Sequence, residues 1–407
     1  MSAARKLDLR YGVSVWQGRR LPRLPTGPLL RDMRCDALVV GAGISGAMIA
    51  DALTEAGLSV IVLDRRGPML GSTTASTALV QYEIDQPLCL LSRRIGTENA
   101  ERIWRRSKMA VDVLRHRSRH LGIRADQVDR DSLYLSGDLL DHDGLVREAA
   151  ARRRAGFECS VLSRHEVKSR YGISGRSALL DYGNLAIDPR KLAAGFLLAA
   201  CKRGARIFSP VEVTHIEPGA RQVHAGTRNG PSIRCSHLVF ATGYETPKGV
   251  PRMGGRIVST WAIATRPQPR AIWPTACLIW EASDPYLYLR VSPDQRILCG
   301  GEDEEFENED KRNALLPAKR IELEKKLKKL FPAVDPEADF AWCGSFGASP
   351  TGTPSIGAVP RMPNCYAAMG YGGNGTTFSM MAAQLLRGLI TGNGDPDRDL
   401  VSFTRRF

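Results

Sequence analysis

The chain has 407 residues, of which 43% are hydrophobic and 25% charged, and a formal net charge of +14. That length favours two domains, and the composition is that of an ordinary globular protein. No run of about 18 apolar residues is present, and the first 30 residues lack the apolar core of a signal peptide. We therefore expect a cytoplasmic protein without a membrane span.

Neither the basic charge nor the cysteine pattern indicates a nucleic-acid-binding surface, a zinc site or a disulfide framework. The arginines are spread over interrupted helical segments, which favours a solvated face, and we expect no nucleic-acid partner. The nine cysteines are scattered, which fits neither a zinc site nor a disulfide framework. His116 and His120 have the i, i+4 spacing of a metal pair but lie among arginines, so we expect no metal.

After an arm rich in proline, arginine and glycine (residues 1–33), the chain opens with a dinucleotide-binding pattern. An apolar strand, 37–40, runs into Gly41, Gly43 and Gly46 and then into a helical pattern up to Ala56. A second strand, 59–63, ends on Asp64, placed to accept from ribose hydroxyls. The glycines permit a tight turn, close approach of backbone to a pyrophosphate and close packing of helix on strand. The pattern predicts a dinucleotide site, which NAD or FAD could fill.

The middle of the chain is predicted to contain both helices and strands. We expect helices over 88–121, 143–155, 189–203 and 317–330, and strands over 131–136, 205–211 and 233–241. Residues 255–301 contain alternating strands typical of an antiparallel sheet. Near the end, a strand over 366–370 and a helix over 376–390 are joined by a second glycine-rich turn, Tyr371-Gly372-Gly373-Asn374-Gly375, whose helix offers a further N-terminal dipole.

Four blocks together resemble the D-amino-acid-oxidase-like family of FAD-dependent oxidoreductases, which includes glycine, sarcosine and γ-glutamylputrescine oxidases. The resemblance runs from Cys35 to Ile390. The blocks are 39–46 with Asp64, Phe240-Ala241-Thr242-Gly243, 342–346 leading to 352–357, and 370–376. The first block is shared by many nucleotide-binding proteins, whereas the last two are much more specific to this family.

The resemblance implies a mixed α/β fold in which a discontinuous, Rossmann-like FAD-binding domain joins a substrate domain built on an antiparallel sheet. It places residues 34–90, 186–246 and 340–407 in the first domain, and residues 91–185 and 247–339 in the second. The residues implied to bind FAD are Gly41, Gly43, Ile44, Ser45, Gly46, Asp64, Arg65, Ser72, Thr73, Thr74, Ser76, Val211, Thr242, Gly243, Gly372, Gly373, Asn374, Gly375 and Thr376.

The family's chemistry is oxidation of a C–N bond by hydride transfer to flavin N5, followed by hydrolysis of the imine, and it needs no metal or nucleophile. We expect Tyr286, Tyr288 and Arg290 to share one strand face. This face either contacts the substrate or is structural, with Arg290 in a salt bridge. Trp261 and Trp280 have a weaker claim, because large aromatic side chains fill cores more often than they line sites.

Two departures from the family pattern bear on the substrate and the acceptor. Phe346 stands where amino-acid-oxidising members carry an arginine that clamps the substrate carboxylate. An amine or a modified amino acid is therefore the expected substrate, unless Arg290 replaces the clamp. Leu298 stands where sarcosine-oxidase-like members carry a lysine, which leaves dioxygen, a quinone or a protein partner open as the electron acceptor.

Cys343 lies in the block through which some relatives attach FAD covalently, but a buried cysteine there can equally be a small hydrophobe. Three other functions stay open at this point. They are a flavin-binding protein without turnover or dependent on a partner, an amine dehydrogenase using an acceptor other than oxygen, and an NAD(P)-dependent dehydrogenase that uses the opening motif alone.

Overall fold

Two β-sheets organise the computed structural model, which describes residues 3–253 and 255–405. The remaining positions, which fall in our predicted arm, substrate domain and last FAD-binding segment, lie outside the described residues: Met1, Ser2, Gly254, Arg406 and Phe407. The helices are α1 (Ile44–Glu55), α2 (Leu88–Ile95), α3 (Thr97–His120), α4 (His142–Arg154), α5 (Arg164–Tyr171), α6 (Pro189–Lys202), α7 (Glu309–Ala314), α8 (Leu316–Leu330) and α9 (Gly375–Ile390).

The strands follow the same chain order. They are β1 (Arg10–Gly12), β2 (Thr26–Gly27), β3 (Met33–Val40), β4 (Val60–Leu63), β5 (Leu79–Val80), β6 (Val128–Leu135), β7 (Cys159–Leu162), β8 (Ala178–Ala186), β9 (Arg206–Phe208), β10 (Val213–Glu217), β11 (Val223–Thr227), β12 (Ser232–Phe240), β13 (Arg256–Thr265), β14 (Leu278–Glu281), β15 (Tyr288–Val291), β16 (Ile297–Glu304), β17 (Ala338–Ala348), β18 (Ser355–Ala358) and β19 (Cys365–Met369).

The first sheet has the order β10-β11-β12-β3-β4-β9-β2, and β19 pairs with the end of β12 and with β18. Its central pairs are parallel, including β3 with β4, β12 with β3 and β19 with β12. In β3 the consecutive residues Ala37, Leu38 and Val39 are fully buried, as expected for a parallel strand covered on both faces. Helix α1 packs against α6 and α9. The strand predicted over 233–241 is observed as β12, which pairs with β3 in this sheet.

The second sheet has the order β1-β17-β13-β16-β15-β14-β6-β8-β5, with β7 on β8. Its pairs are antiparallel except for β14 with β6. The predicted fold class, a parallel nucleotide-binding unit joined to an antiparallel sheet, is therefore confirmed. Among the described residues, no helix combines the length and the apolar character that crossing a membrane requires.

Several predicted boundaries differ from the structure. Residues 340–348 were assigned to the FAD-binding domain, but they lie in β17, whose Phe346 pairs with Val258 of β13 in the second sheet. Helix α3, assigned to the substrate domain, packs against α9, and its Trp104 shares a core with α1. Apolar periodicity shows that a helix has a buried face but does not identify the partner. The rest of the domain division stays a prediction.

Two local expectations also differ. The helix predicted over 88–121 is interrupted at Gly96, whose φ of +83° ends α2. Such a left-handed conformation suits glycine and stops a helix. Tyr286 precedes β15 instead of lying within it.

Candidate cofactor and substrate site

A cavity runs between the two sheets and is lined by residues of both. One part, here called the arm end, is lined by Asp64, Arg65, Val211 and residues of the N-terminal arm. The opposite part, here called the aromatic end, is lined by Trp280, Tyr286, Tyr288 and Phe346, with Asp85 beside them. The two glycine-rich turns lie along the same cavity.

The first glycine-rich turn joins β3 to α1. Gly41 has φ +114°, and a Cβ there would collide with the carbonyl of Ala241; a Cβ on Gly46 would collide with the carbonyl of Gly41. Gly43 is the N-cap of α1 and provides no side-chain cap, so the N–H groups of the first turn that follow Ile44 are left for a ligand. Gly41, Gly43, Ile44 and Ser45 line the cavity, whereas Gly46 does not. The structure gives Gly46 the packing role.

The segment after β4 contributes side-chain hydroxyls. Ser72, Thr73 and Ser76 line the cavity, and Thr73 Oγ1 accepts a hydrogen bond from Ile44 N at 3.1 Å. Thr74 was predicted to bind the cofactor, but it is buried outside the lining and donates its hydroxyl to Met69 O at 2.6 Å. Thr74 therefore holds the segment in place.

Asp64 lies at the end of β4, as predicted, and lines the arm end. Its carboxylate accepts hydrogen bonds from the amides of Ala42, Arg66 and Gly67, at 2.8, 2.8 and 2.9 Å. A carboxylate has about four acceptor positions, so one remains for a ribose hydroxyl.

The arm covers this end of the cavity through backbone contacts. Ala3, Ala4 and Leu9 line it, and Ala3 N donates to Val213 O at 3.1 Å. Arg65 donates to Ala4 O and Arg5 O, each at 3.0 Å. The role of Arg65 in binding FAD stays a prediction, and the structure shows that this side chain holds the arm.

Arg66 and Glu245 complete this arrangement. Arg66 donates to both carboxylate oxygens of Glu245 and, at 2.6 Å, to Leu7 O, while Leu7 N donates to Glu245 at 2.7 Å. Burial alone would raise the pKa of Glu245, but the hydrogen bonds from Arg66, Leu7 and Arg65 outweigh it and hold that pKa below its usual value. The charges at the arm end are thus paired.

The second glycine-rich turn leads into α9. Gly372, Gly373, Asn374, Gly375 and Thr376 all line the cavity, as do Val211, Thr242 and Gly243 elsewhere. Asn374 is the N-cap of α9 but caps none of its amides. Its side chain donates instead to Gln81 O and Glu83 O, at 3.2 and 2.8 Å. The first turn of α9 therefore has free amides beside the cavity.

The aromatic rings form one cluster. The ring centroids of Trp280 and Tyr286 are 6.4 Å apart, and those of Tyr286 and Tyr288 are 5.6 Å apart. The hydroxyls of Tyr288 and Thr260 are 3.4 Å apart. Gly300 makes room for this arrangement, because a Cβ there would collide with the ring of Tyr288.

Carboxyl groups surround these rings. Asp85 accepts from Gly373 N at 2.8 Å, and burial raises its pKa above the usual value. Burial also raises the pKa of Asp303 to about 7, an effect that its hydrogen bond with Thr260 partly opposes. Burial, with the charges of Asp85 and Asp303, raises the pKa of Tyr286.

Several residues predicted near the substrate lie elsewhere. Arg290 is outside the cavity lining, and its guanidinium donates to Thr77 O, Ala78 O and Ile187 O at 3.3, 2.7 and 2.8 Å. Arg290 therefore lies where it cannot line the cavity as a carboxylate clamp, and its hydrogen-bond partners among the described residues are backbone carbonyls and not the carboxylate of a salt bridge. Trp261 is also outside the lining and donates to Arg312 O at 3.2 Å, and Leu298 is buried in a hydrophobic core.

Cys343 is likewise outside the lining, although its neighbours Gly344, Ser345 and Phe346 belong to it. The thiol is buried in the core of the second sheet, 3.6 Å from Asn313 Oδ1, and burial raises its pKa. The hypothesis of covalent flavin attachment through Cys343 therefore has no geometric basis.

The sequence interpretation missed Gln81, Glu83 and Asp85, which all line the cavity, while Tyr82 and Ile84 between them are buried. This strict alternation of polar and apolar residues is a signal that could have found them. The cavity-lining role of Ala3, Ala4 and Leu9 leaves no comparable signal.

Comparison with known proteins decides the family. The family model "FAD dependent oxidoreductase" (DAO) matches residues 36–389. The chain belongs to this family. It is 24% identical to γ-glutamylputrescine oxidoreductase of Escherichia coli (strain K12) over 390 residues, which are 91% of this chain and 87% of the relative. It is 23% identical to glycine oxidase of Bacillus licheniformis over 376 residues, 88% and 94% of the two chains.

A solved structure of similar fold is glycine oxidase from Geobacillus kaustophilus. The TM-score is 0.76 at 18% identity, and the match covers 92% of this chain and 99% of that one. The protein is accordingly an FAD-dependent oxidoreductase, and the predicted family and cofactor are confirmed.

The cavity also fits FAD on structural grounds. The helices α1 and α9 both begin at its wall without side-chain caps, and the glycines of the first turn keep the backbone accessible. Five lining side chains have a buried polar atom without a hydrogen-bond partner among the described residues: Gln81 Nε2, Glu83 Oε2, Trp280 Nε1, Tyr371 Oη and Asn374 Oδ1. Because buried polar atoms normally have hydrogen-bond partners, a group of unpaired ones in a cavity indicates that a ligand binds there. Within the described ranges no cluster of metal-ligating side chains is found.

Proposed function

We propose that the protein oxidises a C–N bond of an amine or a modified amino acid at the aromatic end of the cavity. The supporting observation is that this end adjoins the turn into α9: a Cβ on Gly373 would lie 3.0 Å from Tyr286 Oη. The residues expected to hold the flavin and those expected to hold the substrate therefore share one enclosed space. The names of the two relatives, an oxidase of glycine and an oxidoreductase of γ-glutamylputrescine, agree with this class of reaction.

Under this proposal the lining residues divide into three groups. Gly41, Gly43, Ile44 and Ser45 bind the pyrophosphate, and Asp64 and Val211 bind the adenosine part. The amides at the start of α9 would hold the polar edge of the flavin, and the positive end of the helix dipole would favour its reduction.

The substrate is held by Tyr286, Tyr288 and Trp280. Bound FAD supplies an acceptor for one hydride. The substrate C–H bond breaks, the hydride leaves with its electron pair, and the nitrogen lone pair forms a C=N bond. Water then adds to this imine and releases an amine and a carbonyl compound.

The aromatic rings contribute by excluding water and by orienting the substrate. The reacting nitrogen must carry a lone pair, so the site has to receive the amine in its neutral form. Tyr286 and Tyr288 remain neutral because burial raises the pKa of each above its usual value. They therefore act as hydrogen-bonding groups and not as bases.

The test is anaerobic mixing of the FAD-loaded protein with a panel of amines and amino acids, followed by absorbance of the flavin. We expect bleaching with one class of amine. Admitting air afterwards identifies the acceptor: rapid return of colour with formation of hydrogen peroxide indicates an oxidase, and slow return indicates a dehydrogenase. A flavin that no amine or amino acid bleaches would contradict the proposal.

A further inference from the structure

The aromatic end is lined by negative charge. Among the described residues, the cationic side chains of the cavity lining are Arg65 and Arg66, and both belong to the arm end, where they bind Glu245. Glu83 and Asp85 lie towards the aromatic end, along the stretch that contacts Asn374 and Gly373. A substrate carboxylate placed there would meet like charges and no cation, which is unfavourable in a water-poor site.

Glu83 is only 2% exposed and lacks a full set of partners. Its Oε1 accepts hydrogen bonds from Ser132 and from Asn184, whereas its Oε2 is buried without a partner among the described residues. A buried carboxylate oxygen without a donor costs free energy, which a ligand N–H group would recover.

Neighbouring arginines do not supply that donor. Arg152 is fully buried and forms ion pairs with Glu148 and Asp181, at 2.8 and 2.6 Å. Arg290 donates to backbone carbonyls behind the lining, as described above. Because Glu83 belongs to the cavity lining, we treat its unpaired Oε2 as a candidate acceptor for a ligand N–H group.

The aromatic cluster has the composition of a cation site. Trp280, Tyr286 and Tyr288 present three electron-rich rings at centroid separations of 6.4 and 5.6 Å, next to a carboxylate. Aromatic rings attract ammonium groups through their negative faces, and this attraction strengthens when water is excluded.

This charge cannot serve the nitrogen that reacts. Carboxylates and π faces stabilise an ammonium ion, yet oxidation needs the neutral amine with its lone pair. A cation site in the same cavity therefore suits a different nitrogen of the substrate.

We propose that Glu83, Asp85 and the aromatic cluster bind a second, positively charged nitrogen, so that the preferred substrates are diamines or polyamines. The inference rests on the proposed oxidation of a C–N bond and narrows its substrate class. Simple alkylamines lack the second charge, and α-amino acids bring a carboxylate that this end repels.

The test compares isosteric substrates. Each α,ω-diaminoalkane is paired with the alkylamine in which a methyl group replaces the far ammonium, and the rate constant of anaerobic bleaching divided by Kd is measured. We expect a preference for the diamine on the order of tenfold or more at the best chain length. Glycine and sarcosine should bleach the flavin more slowly than either.

Variants that remove one carboxylate charge test whether Glu83 and Asp85 cause the preference for diamines. Glu83→Gln and Asp85→Asn keep the shape of the side chains, and Asn can still accept from Gly373 N. Each should reduce the ratio of the diamine value to the alkylamine value by about tenfold. Glu305→Gln is the control, because it removes one charge from an exposed residue paired with Arg256.

The outcomes separate this inference from the proposed function. Equal bleaching by diamine and alkylamine, or faster bleaching by an amino acid, would overturn the diamine inference and leave C–N oxidation intact. A preference that survives in both variants would overturn the assignment to Glu83 and Asp85. Absence of bleaching by every amine would overturn both proposals together.

Discussion

The arm end and the aromatic end of the cavity differ in whether their charged side chains have partners of opposite charge. At the arm end, Arg65, Arg66 and Glu245 are paired with one another and with the backbone of the arm. At the aromatic end, Asp85 and Glu83 face the cavity with no cationic neighbour in the described lining. The charges of Arg65, Arg66 and Glu245 are therefore satisfied within the protein, whereas the carboxyl groups of the aromatic end are open to a cationic ligand.

We expect the largest effect from a change in the first glycine-rich turn, which lies along the cavity. Gly41→Ala adds a Cβ that would collide with the Ala241 carbonyl, at a φ of +114° that alanine avoids. We expect FAD affinity to fall by about a hundredfold or more, measured as flavin retained on gel filtration and as Kd by fluorescence. Gly57→Ala is the control, because φ is +85° there but the space is open. Undiminished flavin in a folded Gly41→Ala protein would refute the role of this turn.

The next effect tests whether the arm closes its end of the cavity. Removing the chain before Arg10 deletes the wall formed by Ala3, Ala4 and Leu9 and the carbonyl groups of the arm to which Arg65 and Arg66 donate. We expect the Kd for FAD to rise by about tenfold through faster dissociation.

Single substitutions refine this test of the arm. Leu9→Ala should show part of the effect, because Leu9 is buried at 5% exposure, and Tyr11→Ala should show none, because Tyr11 is 51% exposed. If the truncation leaves the rate of FAD dissociation unchanged, the arm does not close this end of the cavity.

A third change gives the aromatic end the cation it lacks. Phe346→Arg places a guanidinium in the lining, on the strand that faces β13. We expect bleaching by glycine or sarcosine to improve by about tenfold relative to an alkylamine, because arginine binds carboxylates in a bidentate manner. Phe346→Leu separates loss of the ring from gain of charge. If both variants shift the ratio equally, the charge of this end does not select the substrate.

The smallest effect concerns pH. The pKa of Asp303 is raised by burial to about 7, so the folded protein retains a proton that the unfolded chain releases near its usual value of 3.8. The free energy of unfolding should therefore fall as pH rises through this interval, and the loss persists above it.

Asp303→Asn removes this dependence. The variant should gain stability relative to the parent as pH increases from about 4 to 7, measured by urea unfolding at several pH values. Parallel pH curves for the two proteins would show that the carboxyl is ionised at little cost.

The sequence predicted the parts whose conformation is set locally. The turn at Gly41 to Gly46, the acid at the end of β4 and the glycine-rich entry to α9 each follow from residue type and spacing, because only glycine tolerates the close backbone contacts found there. The antiparallel character of β13 to β16 also follows from period-two patterns.

Contacts between residues that are far apart in the sequence could not be predicted in the same way. The alternation at Tyr286, Tyr288 and Arg290 predicts a shared face but not that Arg290 ends among backbone carbonyls instead of in the cavity. Nor does the sequence near Cys343 show which sheet face is core. The burial of an arginine depends on residues more than 100 positions away, such as Ile187, and those contacts exist only in the folded chain.

The arm described above has a consequence for how the protein is made. Leu7 N binds Glu245, Asp8 N binds Glu309 at 2.7 Å, and β1 pairs with β17. During synthesis, more than 300 further residues must therefore be added after Asp8 before its partner Glu309 exists. The arm end of the cavity therefore stays uncovered through most of translation, and the residues of the arm close it late.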